Sequence, residues 1–162
     1  MDVAIIGDTH IPSRAHGIPA PFRERIEVAD HVIHTGDFDS DGALSNVRAM
    51  APRLTAVAGN MDPRMGLPDV VTVDLDGVTL VVTHGTGSKR GYEQRVAGIV
   101  RDEAGGDAVG VAGHTHEVLD AVVDGVRLLN PGSATGAAPA TRATMLTATV
   151  DDGTLDVTMH EH

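Results

Sequence analysis

Short apolar runs recur along the 162-residue chain, and several of them stop at a glycine. VAIIG (residues 3–7), HVIHTG (31–36) and RLTAVAG (53–59) are compact and rich in β-branched residues, so they predict buried strands. Helix-like patterns fill the gaps, over residues 19–29 and 41–50, with Asp41 in the position of an N-cap. The alternation predicts a βαβαβ unit with parallel strands and right-handed crossovers. From residue 70 the pattern changes. VVTVDLDGVTLVVTHG (70–85) is two apolar runs joined at Asp76-Gly77, a strong hairpin signature. The same signature returns at Asp124-Gly125 and Asp152-Gly153. Between them lie a helix over 91–103, closed by Gly105-Gly106, and a strand, DAVGVAG (107–113). The chain thus starts as α/β and ends as antiparallel hairpins. Two sheets packed face to face with helices outside accommodate both halves in one domain, residues 1–162.

Composition narrows the function. There are no cysteines, so disulfides and thiolate metal sites are excluded. The net charge is −11, with 23 acidic residues against 12 basic ones, which disfavours broad nucleic-acid binding. A small phosphorylated substrate remains compatible if cations sit in the pocket. The acidic, lysine-poor mixture fits either a salt-adapted proteome or plain codon bias. No run reaches the roughly 18–20 apolar residues of a membrane span. The N-terminus has neither a basic region nor a small-residue cleavage site, so a cytoplasmic protein is expected. A homo-oligomer is left open.

The chemistry lies just past the strands. Asp8 and His10 follow the first, Asp37 the second, Asn60 the third, His84 the hairpin strand, and His114 and His116 the strand of 107–113. Glycines at 7, 36, 59 and 113 stand at the junctions, where they let the backbone turn sharply and keep a cavity open. Sites in α/β sheets form at the carboxyl ends of the strands, so these side chains converge on one pocket. Seven donors exceed the four of a structural zinc and suit two ions sharing a bridge. Asp8, His10, Asp37 and His116 serve one; Asp37, Asn60, His84 and His114 serve the other. A carboxylate has two oxygens, so Asp37 is the bridge. Oxygen from Asp8, Asp37 and Asn60 with nitrogen from four histidines favours two divalent transition-metal ions. Manganese comes first, with iron, zinc, nickel or cobalt as alternatives, over calcium or magnesium. A metal-bound His114 also requires a partner on its other ring nitrogen.

GDTH, GDFD, GNMD, THG and GHTH, in this order, resemble the calcineurin-like metallophosphoesterases. The short chain and NPGSATG (130–136) are similar to the YfcE-like branch, and GDTHIPSRAHGIP to its retromer small-subunit members. The resemblance implies a four-layer αββα sandwich of two mixed β-sheets flanked by helices. It also implies a dinuclear phosphoesterase that hydrolyses phosphodiesters or small phosphate esters by metal-activated hydroxide attack, with Asp37, Asn60 and His114 as catalytic residues. Two positions depart from the family pattern. Many larger relatives carry a histidine as general acid or phosphate binder where this chain has Met61. Close relatives often read His-Gly-His where this chain reads His84-Gly85-Thr86. The first departure favours substrates with good leaving groups. The second bears on substrate contacts at Thr86.

The remaining residues read more plainly. Asn60 doubles as a substrate contact; Arg14 and Thr86 are further candidates, although surface placement is the simpler reading of Arg14, Lys89 and Arg90. Asp62 reads as a turn or helix cap. His31 and His34 are expected in the core or at a sheet edge, His16 in solvent, and His160 and His162 in a solvated tail. GTGSKRG (85–91) lacks P-loop spacing, so an NTPase is rejected. The rival from another class is a non-catalytic metal-binding scaffold for protein partners on the same fold. A single stabilising metal leaves seven donors unexplained.

Overall fold

The computed structural model describes all 162 residues. The first strand, β1 (Asp2–Ile6), is apolar on both faces because both are covered. Val3 and Ile5 point into a core between two sheets, whereas Ala4 and Ile6 point out towards helices. Helices α1 (Ala20–Val28) and α2 (Asp41–Met50) supply that outer cover through Phe22, Ile26, Leu44 and Val47. One sheet contains β1, β2 (His31–His34), β3 (Leu54–Ala56), β9 (Thr144–Asp151) and β10 (Thr154–Glu161), in the order β10-β9-β1-β2-β3. The other contains β4 (Val70–Leu75), β5 (Val78–Thr83), β6 (Val109–Val111), β7 (Val118–Val123) and β8 (Val126–Pro131), in the order β4-β5-β6-β8-β7. Helix α3 (Tyr92–Ala104) covers the second sheet with Tyr92, Val96, Ala97 and Val100. The expected αββα arrangement of two mixed sheets is therefore what the chain forms.

The mixed pairing follows the change in pattern along the sequence. β1–β2–β3 are parallel, as are β5–β6–β8, while the hairpins add the antiparallel pairs β4–β5, β7–β8 and β9–β10. All three Asp-Gly turns have both residues in the left-handed region, with φ of 43° and 86° at Asp76-Gly77, for example. That geometry matches the right-handed twist of the strands it joins. No helix is long and apolar enough to cross a membrane.

Some local expectations shift. Ser40, not Asp41, caps α2: its hydroxyl accepts the Ala43 N–H at 3.1 Å. Asp41 sits in the first turn, where its charge faces the positive end of the helix dipole. β3 and β6 are shorter than their apolar runs, because the residues beyond them leave the ladder to build loops. Gly113 N–H, for instance, bonds the His84 carbonyl. His160 is not in a tail. It lies within β10 and pairs with the Thr147 hydroxyl across the β9–β10 hairpin at 2.7 Å. His162 donates its backbone N–H to Ala143 and meets Phe22 edge-on. His34 is fully buried and stacked on Phe38, and burial holds its imidazole neutral, with a pKa down at about 3.

Candidate metal centre

The carboxyl ends of β1, β2, β3, β5 and β6 come from both sheets and meet at one end of the sandwich. All seven donors expected from the sequence arrive there. Nε2 of His10 and of His116 are 3.2 Å apart, and His116 Nε2 is 3.4 Å from Asp8 Oδ1. Beside them, His84 Nε2 lies 3.0 Å from Asn60 Oδ1 and 3.2 Å from Asp37 Oδ2, and His114 Nδ1 lies 3.1 Å from Asn60 Oδ1. Asp37 Oδ2 is also 3.5 Å from His10 Nε2, so it stands between the two groups. Asp8 Oδ1 reaches both sides as well, 3.9 Å from His10 and 4.0 Å from His84. Asp8, His10, Asp37, His84 and His116 are buried, His114 is half-buried and Asn60 is exposed, so the cluster opens to solvent along the Asn60–His114 side.

Each histidine is held from behind. His84 Nδ1 faces the Thr35 carbonyl at 2.7 Å, His116 Nδ1 the Ala137 carbonyl at 2.9 Å and His114 Nε2 the Gly87 carbonyl at 2.8 Å. A carbonyl only accepts, so in each case the facing nitrogen carries the hydrogen and the other presents its lone pair to the centre. His10 Nδ1 pairs with the Asp39 carboxylate at 2.9 Å, and the Ser13 hydroxyl donates to the same carboxylate. Asp39 escaped the sequence reading. Its signal is the second carboxylate of GDFD, two residues past Asp37. Removing it by Asp39→Ala is expected to weaken metal affinity by about 10- to 100-fold, the usual cost of losing such a partner. Isothermal titration with manganese would measure this.

Asp62 acts as the turn cap the sequence suggests, but on a larger scale. Its carboxylate accepts the N–H groups of Asp37 at 3.0 Å, Asp39 at 2.8 Å and Gly59 at 2.8 Å. It therefore ties the loop after β2 to the loop after β3. Met61 contributes its backbone: its N–H donates to Asp37 Oδ1 at 2.8 Å while its side chain points to solvent.

The junction glycines behave differently from the expectation. At Asp8, Asp37 and His114 the left-handed turn is taken by the donor itself, with φ of 47°, 61° and 74°; among the four junction glycines only Gly36, at 99°, takes one. Left-handed backbone at non-glycine residues costs energy and gathers where a site dictates the geometry. The glycines provide room instead. A Cβ on Gly59 would sit 2.1 Å from Asp37 Oδ1 and 2.3 Å from the Asp37 nitrogen. Gly59→Ala is thus expected to push Asp37 out of place and cut metal occupancy to below half, as read by metal analysis of the purified variant, with secondary structure retained by circular dichroism.

Electrostatics test whether a cation fits. Asp8 Oδ1 is buried and has no hydrogen-bond partner, while Asp8 Oδ2 accepts the His114 N–H at 3.0 Å. Burial, with the charge of Asp37 adding to it, raises the Asp8 carboxyl to about 7. At Asp37 burial pushes upward too, but the hydrogen bond and charge of His84 and the Met61 N–H outweigh it and hold the carboxyl below its usual value. At His84 burial pulls downward, and the Asp37 bond with the two carboxylate charges brings the imidazole above its usual value. An orphaned buried oxygen with three imidazole nitrogens within 4.0 Å is what a divalent cation satisfies, with the His84 Nε2 proton given up on binding.

The other candidates lie at the rim. Thr86 is exposed. Arg14 donates to the Ala138 carbonyl at 2.9 Å, and its charge reaches Asp8. Lys89 pairs with Glu117, and Arg90 and His16 are exposed.

Known proteins share this fold. A wild-type Vps29 from Entamoeba histolytica, solved in complex with Zn2+, superposes with a TM-score of 0.78 at 24% identity, covering 99% of each chain. A predicted phosphoesterase from Streptococcus pneumoniae gives 0.76 at 22% identity, over 99% of this chain and 88% of that one. These two likenesses show the fold. In sequence, a probable metallophosphoesterase of Methanothermobacter thermautotrophicus is 33% identical over 139 residues, 83% of this chain and 78% of that relative. A family model for the calcineurin-like phosphoesterase superfamily domain matches residues 1–153. The resemblance carried by the five strand-end motifs is thereby borne out, and the chain belongs to the calcineurin-like phosphoesterase superfamily.

Proposed function

We propose that the chain is a dinuclear metal-dependent phosphoesterase acting on phosphodiesters or small activated phosphate esters. The observation that carries this reading is the pair of donor groups, Asp8-His10-His116 and Asp8-Asp37-His84, which share Asp8 with its unpartnered Oδ1, while Asp37 Oδ2 lies between His10 and His84. Asp8, His10, Asp37 and His116 would hold one ion, and Asp37, Asn60, His84 and His114 the other. Three oxygen and four nitrogen donors favour manganese, with iron, zinc, nickel or cobalt also accommodated. When bound, the ions supply Lewis acidity and lower the pKa of water near the phosphorus.

The chain's own residues shape the rest. Asn60 is neutral, so the cluster brings only two carboxylates against two dications. Asn60 and His114 are the solvent-facing members, which makes this the side where a phosphoryl group enters. Met61 has no proton to give, and its side chain is half exposed. A departing alcohol therefore takes its proton from water, which favours esters whose leaving group needs little help.

Metal content of the purified protein, combined with hydrolysis of bis-p-nitrophenyl phosphate before and after chelation and manganese readdition, tests this directly. Support consists of about two ions per chain and turnover that returns with metal. Bound metal without turnover of diester or monoester probes would favour the scaffold reading instead.

A further inference from the structure

Beside the metal centre lies a second cavity, of about 450 Å3, at the open seam where the start of β7 passes the end of β10. Its size falls within the roughly 300–1,000 Å3 of small-molecule sites. It is joined to the metal centre by the segment 114–117. His114 and His116 face the metal centre, while Thr115 and Glu117 line the cavity and His116 forms part of its wall. The two loops that rim it also brace the donors: the 85–91 loop carries the Gly87 carbonyl on His114, and the loop after Gly136 carries the Ala137 carbonyl on His116. A substrate held at the metals therefore has this cavity as its neighbour.

The lining has a definite chemistry. Lys89, the chain's sole lysine, pairs with Glu117 on one rim. Arg142 pairs with Glu161 on the other at 2.7 Å. Thr115 offers a hydroxyl and Met159 an apolar surface. Both cations are already neutralised, so an anionic arm would meet two carboxylates with no free positive charge. An acyl chain would bury four charged groups against hydrocarbon. A neutral arm with many hydroxyls finds donors and acceptors on both rims without unpairing either.

We propose that this cavity is the subsite for the second ester arm of a phosphodiester substrate and that it takes a neutral, hydroxyl-rich alcohol of nucleoside or sugar type. The inference rests on the phosphodiesterase reading of the metal centre and names the substrate class for it. Its test compares two diesters with the same leaving group on the manganese-loaded protein: methyl p-nitrophenyl phosphate, whose arm is too small to fill the cavity, and the p-nitrophenyl ester of thymidine 5′-phosphate. The expected result is a kcat/KM higher by roughly tenfold or more for the thymidine ester, the size of a well-paired polar contact set. Met159→Trp fills the cavity from an exposed strand position, and the double change Arg142→Ala with Glu161→Ala removes one rim pair without stranding a charge. Both should bring the ratio of the two kcat/KM values towards one, mainly through KM for the thymidine ester. A wild-type ratio near one, or a ratio that neither variant moves, overturns the subsite while turnover of both esters leaves the phosphodiesterase reading standing. No turnover of either ester by the metal-loaded protein overturns that reading and the subsite with it.

Discussion

Asp37→Ala is expected to lower turnover of a diester probe by about 10²- to 10³-fold, the scale of losing an electrostatic contact at the reacting group. Asp37 Oδ2 lies 3.5 Å from His10 Nε2 and 3.2 Å from His84 Nε2, whereas the other carboxylate oxygen between them, Asp8 Oδ1, is 3.9 and 4.0 Å away and cannot take its place without moving. The fold should survive. The only hydrogen bond that the side chain accepts from the backbone is that of Met61, an exposed residue whose N–H can turn to water. Circular dichroism and the melting temperature of the metal-free variant should therefore match those of the parent within a few degrees. Unchanged turnover would remove Asp37 from the reaction and with it the dinuclear reading.

Asp8→Asn separates the needs of the fold from the needs of the metal. In the metal-free protein the Asp8 carboxyl has a pKa of about 7 against an ordinary value of 3.8, a shift whose largest cause is burial. A folded value above the unfolded one stabilises the protein at low pH, and that contribution disappears as pH rises through the folded value. The parent in chelator should therefore lose up to about 4 kcal/mol between pH 4 and pH 8 from this group, a ceiling set by the shift. The amide variant lacks this loss. In chelator at pH 8 it should melt several degrees above the parent, and the gap should narrow as pH falls towards 5. Manganese should close the gap. At about 1,000 times the dissociation constant a ligand adds about 4 kcal/mol to the parent, and the variant, without the anionic donor, should gain little. A variant less stable than the parent in chelator at pH 8 would show that the orphaned oxygen carries no strain.

Much of this site could be read from the chain because its chemistry sits at recognisable strand ends. An apolar run, a glycine and then a donor is a local pattern, and it recurs at Asp8, Asp37, Asn60 and His114. The Asp-Gly hairpins were legible for a similar reason: few residue pairs tolerate two left-handed conformations in succession. What stayed hidden is mostly backbone. The carbonyls of Thr35, Gly87 and Ala137 set which nitrogen each histidine presents, but every residue has a carbonyl, so no letter in the sequence marks them. Asp39 was hidden by its neighbour, since Asp37 already accounted for the motif. Ser40 and Asp41 are both good caps, and only the chain's exit angle from β2 decides between them. His160 was legible as well: TLDVTMH alternates polar and apolar residues at period 2 after the Asp152-Gly153 turn, so a strand through residue 160 is the better reading of that run than a tail. The role of the glycines was half visible. The need for small residues was legible, but that the donors themselves take the left-handed turns depends on strain held by surrounding structure.

The donors come from both sheets. Asp8, Asp37 and Asn60 follow strands of one, and His84, His114 and His116 follow strands of the other. Asp8 and His114 make direct contact although 106 positions separate them in the chain. An ion bound there fastens the two halves of the sandwich together like a rivet at one end. During synthesis that rivet cannot be set until residue 116 is free of the ribosome and the second sheet has docked. Metal binding at this site would therefore be a late event, and a chain truncated before GHTH, which also lacks β7 and β8 of the second sheet and β9 and β10 of the first, should carry none.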